Sequence, residues 1–290
     1  MKFEHREIPE GINVTSVHPL RELAVLLSGA VVLIVAVVYI LGLSAGFMAP
    51  YIPFEVEQKL AASFPVEEPE SIEVDAYLQQ VTGRVVEAMD LPEEVAITVH
   101  FLHGEKVSGD TVNAFATLGG HVVVFSGLLE KIPNENALAM LLAHEIAHVK
   151  HRDPIVSLTR GVTISSALGL LLGWSDLDLM GEAGVYTLLH FSRSMEQQAD
   201  TEALHAVYKL YGHTQGASDL FEVINAWHQA SGSGEGIELM QTHPLDQKRI
   251  KALKDLATAN HWTEVGEITP LQQRFVDSLK GREGMLRFNR

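Results

Sequence analysis

The sequence predicts an α+β fold: a small β-sheet beside a helical bundle, preceded by one N-terminal transmembrane helix. Three observations point there. No charged side chain occurs between Glu22 and Glu55. Strand-like alternation is confined to Val95–Phe125, and helical spacing of apolar residues dominates from Pro133 onward. The expected divisions are a tail (1–22), a transmembrane helix (23–45), a linker (46–70) and one folded domain (71–290).

The run Leu23–Leu43 (LAVLLSGAVVLIVAVVYILGL) is almost wholly aliphatic. About 20 such residues in a helix rise roughly 30 Å, enough to cross the hydrocarbon core. A buried core helix would carry a polar face, and this run has none. A signal peptide has a shorter apolar core of about 7–15 residues with an early small-residue cleavage site. Here the small residues of LSAGFMAP follow a stretch already long enough to span, so a retained anchor is expected. Lys2, Arg6 and Arg21 precede the span and only Lys59 follows closely. That bias predicts a cytoplasmic N-terminus and a main domain on the non-cytoplasmic side.

Pro50, Pro53, Pro65 and Pro69 punctuate the linker, which is predicted to be non-helical near each proline. Ser71–Met89 has helical spacing and stops at Asp90-Leu91-Pro92. Val95–Phe101 alternates as a strand. Thr111–Leu118 and His121–Phe125 form a hairpin about Gly119-Gly120. Asn134 is a candidate N-cap for a helix over Ala137–Val149, and Asp153-Pro154 ends it or opens the next. Further helices are expected at about Ile155–Leu172, Glu182–Tyr211, Gln215–Ala230, Leu245–Ala257 and Pro270–Leu279, with SGSGEG (Ser231–Gly236) as a loop. The uncharged stretch Gly161–Ser175 is too short to span comfortably. With glycines at 161, 169 and 173, Gly161–Trp174 suggests a membrane-facing or substrate-adjacent hairpin, an interfacial or re-entrant element, an ordinary buried helix being the other reading.

Composition removes several functional classes. With 47% hydrophobic and 20% charged residues the chain is globular, not disordered. A net charge of −16 leaves no basic stripe to neutralise phosphates, which excludes nucleic acid as a partner. There is no cysteine, so disulfides and thiolate metal sites are excluded, and any transition metal must be held by imidazole and carboxylate.

The strongest chemical signal is His144-Glu145-Ile146-Ala147-His148, an H-E-x-x-H pattern in a segment predicted helical. Residues four apart lie about 40° apart around a helix and about 6 Å along it, so both imidazoles reach one ion. Glu145 is rotated off that line and reaches a water on the ion. A catalytic zinc needs three protein ligands and an open position, lowers the pKa of its water to about 7, and works with a carboxylate that takes the proton. The third ligand must come from downstream, where His151, Glu182, His190, Glu196, Glu202 and His205 are candidates. Glu196 stands out because Asp200 follows at i+4. One carboxylate can bind metal while the other accepts an N–H from a ligating histidine.

These residues resemble the gluzincin metallopeptidases, with H-E-x-x-H followed by E-x-x-x-D. More narrowly, the chain resembles the family of HtpX, the CAAX prenyl endopeptidases, BepA and the Oma peptidases. The matches are Asn113-Ala114-Phe115-Ala116 with Gly119-Gly120-His121, Ser126–Leu129, His144–Asp153, and His243-Pro244 with Arg249. The resemblance implies a zinc endopeptidase with one Zn2+ per chain, bound by His144, His148 and Glu196. It implies polypeptide substrates, unfolded or membrane-adjacent, and a role in protein quality control. It also implies that Asn113, Ala114, Phe115 and Ala116 form an edge strand where extended substrate pairs. His243 and Arg249 are expected in catalysis, either as donors to the developing oxyanion or, for His243, as a cover over the metal. Only one clear span is visible, unlike the multi-span branches, which argues against a prenylated substrate. The expected location is a bacterial inner membrane with the domain facing the periplasm, or else the mitochondrial inner membrane.

Overall fold

The computed structural model describes residues 18–62, 71–102, 111–172, 191–231, 243 and 247–279. At its centre lies helix α5 (Glu135–Lys150), with every residue from Glu135 to Val149 buried. Such a helix needs no polar face, which is why its sequence is apolar all round apart from the site residues, Lys150 at its end, and Glu135 and Asn136 in its first turn. Asn134 caps it, its Oδ1 accepting from the Ala137 N–H at 2.8 Å.

Around α5 pack α3 (Ile72–Met89) and α7 (Arg193–Tyr211). Ser71 caps α3, and Asp90 ends it in the left-handed region. Ser192 caps α7, and Gly212 closes it at φ 75°. The buried Glu135 ties the three together: it accepts from Tyr77 Oη at 2.7 Å, Arg84 Nη2 at 2.7 Å and Tyr211 Oη at 3.1 Å. Helices α8 (Asp219–Ser231) and α9 (Gln247–Ala259) complete the bundle, with residues 273–279 also helical.

The sheet holds β1 (Thr98–Leu102), β2 (Ala114–Ala116) and β3 (His121–Phe125) in the order β1-β3-β2. β1 runs parallel to β3, with Thr98 opposite His121. β2 is antiparallel to β3, with Phe115 opposite Val123, and lies at the edge beside α5. The short α4 (Ser126–Leu129) follows β3. The expected α+β, mainly helical architecture is thus present.

At the N-terminal end, α1 (Pro19–Met48) is a helix of 30 residues, long and apolar enough to cross a membrane. Between Pro53 and Pro65, where non-helical chain was expected, α2 (Phe54–Ala61) forms, because Pro53 stands outside the helix at its N-cap. The helix expected at Ile155–Leu172 is present, and the hairpin reading of Gly161–Trp174 does not hold over its described residues. Helix α6 (Asp153–Leu172) runs straight through Gly161 and Gly169 and packs along α1, while 173–174 lie outside the described residues. Gly161 and Gly169 do not break this helix.

Candidate metal centre

His144 and His148 stand one turn apart on α5 and point at the same space, with Nε2 atoms 3.2 Å apart. α7 runs alongside and brings Glu196, whose Oε2 is 3.4 Å from His144 Nε2 and whose Oε1 is 3.5 Å from His148 Nε2. His243 enters from the chain before α9: its Nδ1 is 2.9 Å from Glu196 Oε1 and 3.3 Å from His144 Nε2. One ligand atom from each of the four lies within 4.8 Å of the others, and all four residues are buried.

Their outer nitrogens are held as well. His144 Nδ1 lies 3.1 Å from Asp200 Oδ1, and His148 Nδ1 lies 2.8 Å from Asp153 Oδ2. When each Nδ1–H donates to its carboxylate, both Nε2 lone pairs face one point. Arg249 on α9 forks onto Asp200 through Nε and Nη2, both at 2.7 Å, and reaches Glu196 Oε2 with Nη1 at 2.8 Å. A planar guanidinium is suited to this two-point grip. It holds both carboxylates and lines the cavity beside His144, Glu145 and His243.

The electrostatics follow from this crowding. Burial opposes charge on His144, yet hydrogen bonds to Asp200 and Glu196 outweigh it and push its pKa up to about 10. His148 is also raised, against burial, by Asp153 and Glu196. Despite burial, Glu196 is held below the usual carboxylate range by His243, then His144 and His148, and Asp200 by Arg249, then His144. Four donors so arranged suit a cation, which would take the place of the protons. Glu145 gives a further sign: it is fully buried, and neither carboxylate oxygen has a hydrogen-bond partner among the described residues. A buried carboxylate left bare is costly, so a group of complementary charge or a donating water belongs beside it. Leu141, Leu220, Phe221 and Ile224 line an apolar cavity adjoining His144 and Glu145.

Several other expected positions are accounted for. Glu202 and His151 pair with each other at 2.7 Å, and Lys150 joins Glu202 at 2.8 Å, away from the centre. His205 packs edge-on against Trp262. Glu182, His190 and Pro244 lie outside the described residues. Ala114–Ala116 are the edge strand β2, and Asn113 accepts the Phe125 N–H at 3.0 Å through its carbonyl. Sequence reasoning missed two residues. Asp153 was read only as a helix boundary, although it stands five positions after His148. Phe191 stacks on the His148 ring with centroids 4.0 Å apart, and no sequence pattern signals it.

The family model for peptidase family M48 matches residues 73–257, which contain every residue of this centre. The chain belongs to peptidase family M48. Among M48 relatives, the mitochondrial metalloendopeptidase OMA1 of Schizosaccharomyces pombe is 34% identical over 153 residues, covering 50% of this chain and 43% of that protein. The beta-barrel assembly-enhancing protease of Escherichia coli K12 is 28% identical over 164 residues, 52% of this chain and 33% of its own. The mitochondrial metalloendopeptidase OMA1 of Danio rerio is 27% identical over 182 residues, 58% and 37% respectively. The matched part of the chain therefore spans less than half the length of these relatives. Helices α1 and α2 fall outside the M48 match.

Proposed function

We propose that this M48 chain is a membrane-anchored, zinc-dependent endopeptidase, with His144, His148 and Glu196 as ligands and Glu145 as general base. The single observation that carries the reading is Glu145, buried beside a four-donor group with no hydrogen-bond partner among the described residues. Imidazole and carboxylate donors without thiolate favour zinc over magnesium or calcium. When bound, zinc supplies Lewis acidity toward a water and a peptide carbonyl.

The chain's own residues do the remainder. Glu145 takes a proton as the water oxygen bonds to the carbonyl carbon, then gives it to the leaving amine nitrogen as the C–N bond breaks. Asp200 and Asp153 hold the Nδ1 atoms of His144 and His148, so that both rings keep their Nε2 lone pairs aimed inward. Arg249 positions Asp200 and Glu196. Asn113–Ala116 pair with an extended substrate by strand addition. The substrates are unfolded or membrane-adjacent polypeptides, and the role is quality control in a membrane or envelope compartment, the domain facing the non-cytoplasmic side. The relatives named metalloendopeptidase and protease support this class of activity.

His243 covers the site in its resting form and swings away when substrate enters. Its Nε2 stands 3.7 Å from Glu145 Oε1, in the space that the attacking water needs. His243→Ala then raises activity. A donor to the oxyanion would instead lose about 10²–10³-fold in kcat on the same change.

The deciding experiment measures metal content and cleavage of an unfolded protein together. About one zinc per chain is expected. Chelation should abolish cleavage, and Glu145→Gln should abolish it with zinc retained. Full cleavage by Glu145→Gln, or full zinc and cleavage in Glu196→Ala, would overturn the assignment.

A further inference from the structure

Helix α1 is exposed on all sides except one stripe. Ile34, Val38, Gly42, Ala45, Gly46 and Ala49, spaced three or four apart, are the residues with reduced exposure. The surface away from that stripe stays open, as at Leu26 (71%) and Val32 (68%). The stripe is covered by α6. A Cβ added to Gly42 would lie 3.2 Å from Ile164 Cγ1, and one added to Gly46 would collide with the Arg160 guanidinium. Position 164 thus faces 42 and position 160 faces 46, so the two helices run antiparallel. From Arg160 to the end of α6 at Leu172, and from Gly46 to Ile34, the distance is about 18 Å at the helical rise.

Helices packed against each other share one solvent. The covered part of α1 overlaps the apolar run Leu23–Leu43, so α1 cannot lie in lipid there while α6 lies in water. The level of the membrane surface is marked twice. Phe47 and Tyr51 are highly exposed aromatic rings, 6.0 Å apart, at the end of α1. Arg160 lies at the same height, and its Nε has no hydrogen-bond partner among the described residues. Aromatic rings and long cationic side chains mark the headgroup layer. Beyond Arg160, residues 161–172 contain no charged side chain.

We propose that the second half of α6 is buried in the lipid bilayer beside α1, entering from the catalytic side and ending near the mid-plane. About 18 Å from the headgroup layer is a little over half of a hydrocarbon core of roughly 30 Å. The proposal rests on the reading of α1 as a membrane anchor. Small residues on α1 allow the close approach, as they do between packed membrane helices. One consequence is a short distance between site and membrane. Asp153, which holds His148, stands seven residues before Arg160, about 10 Å along α6.

The lack of cysteine makes the test direct. Single cysteines replace Ile164, Ser166 or Leu170 in the full chain, with Val32→Cys as an α1 control and Val265→Cys as an exposed control. Each is labelled with an environment-sensitive fluorophore and reconstituted in vesicles of phosphatidylcholine and phosphatidylglycerol. Quenching is read with lipids spin-labelled near the headgroup or deep in the acyl chain. The label at 170 should lose emission to the deep quencher about as strongly as that at Val32. Labels at 164 and 166 should respond more to the shallow quencher, and that at Val265 to neither. Quenching at Val32 with none at 164, 166 and 170 would overturn the proposal and leave the anchor standing. No quenching at any position would overturn both. Zinc content of each variant reports on folding independently.

Discussion

The contact between Glu57 and Arg152 predicts that a residue on α2, outside the M48 match, controls both stability and the metal centre. Glu57 on α2 is almost fully buried, and its Oε1 accepts from Arg152 Nε at 2.6 Å. Arg152 follows α5 directly, in the left-handed region at φ 63°, and also donates to the Ile52 carbonyl at 2.7 Å. Burial raises the Glu57 carboxyl pKa even with Arg152 beside it, so the pair does not fully offset its own desolvation. Removing one partner is therefore the damaging change. Glu57→Gln leaves a mostly buried guanidinium without its counter-charge, which costs about 3–5 kcal/mol. At about 2–4 °C per kcal/mol for a chain of this size, Tm should fall by roughly 10 °C. The double substitution Glu57→Met with Arg152→Met should recover most of that loss, because no charge is left stranded. Arg152 is bonded to Asp153, the acceptor for His148, so Glu57→Gln should also weaken zinc binding by up to about tenfold. Thermal denaturation in detergent and chelator competition measure the two effects. A single substitution costing under about 1 kcal/mol, or a double variant as unstable as the sum of the singles, would refute the reasoning.

Three further outcomes follow from the geometry. Asp153→Asn keeps the side-chain shape but removes the charged acceptor for His148 Nδ1, so zinc affinity should drop about 10–100-fold with Glu145 untouched; unchanged affinity in chelator competition would refute it. Arg249→Lys loses the two-point grip on Asp200 and should cut cleavage more than tenfold at similar Tm, whereas wild-type cleavage would show that a point charge suffices. His100 faces His121 across the sheet at 2.8 Å, and burial, then His121, lower its pKa from 6.5 to about 4. The folded state thus binds fewer protons there than the unfolded state, and stability must fall as pH drops from about 6.5 toward 4. The full displacement corresponds to roughly 3 kcal/mol, and solvent screening of a half-buried ring brings it to about 1–2 kcal/mol. Tm should fall by about 3–6 °C more in the wild type than in His100→Val over that range, and parallel curves would exclude His100 as the source.

What was legible in the sequence follows the range of the interaction concerned. His144, His148 and Glu145 are related by helical geometry alone, and Glu196 with Asp200 repeats the same spacing on a second helix. Asn134 announces its helix because a cap acts over three residues. Asp153 escaped notice because the backbone reverses at Arg152, and i+5 across such a bend matches no helical periodicity. The parallel pairing of β1 with β3 leaves no local mark either, since the strands are joined through β2 and its flanking chain. α2 escapes notice because Pro53 and Pro65 suggest non-helical chain around them, and the hairpin over Gly161–Trp174 is expected from glycines that α6 passes through as the helix also expected there. α2 packs against Gly119, where an added Cβ would lie 2.9 Å from Ala61 Cβ, and α6 packs against Gly42 and Gly46. These glycines on the partner segments provide room for a helix distant in sequence. Glycine costs a helix about 1 kcal/mol relative to alanine, so Gly42 and Gly46 inside α1 require a compensating contact. α6 supplies it, and that makes this pair of glycines evidence about tertiary packing more than about helix propensity.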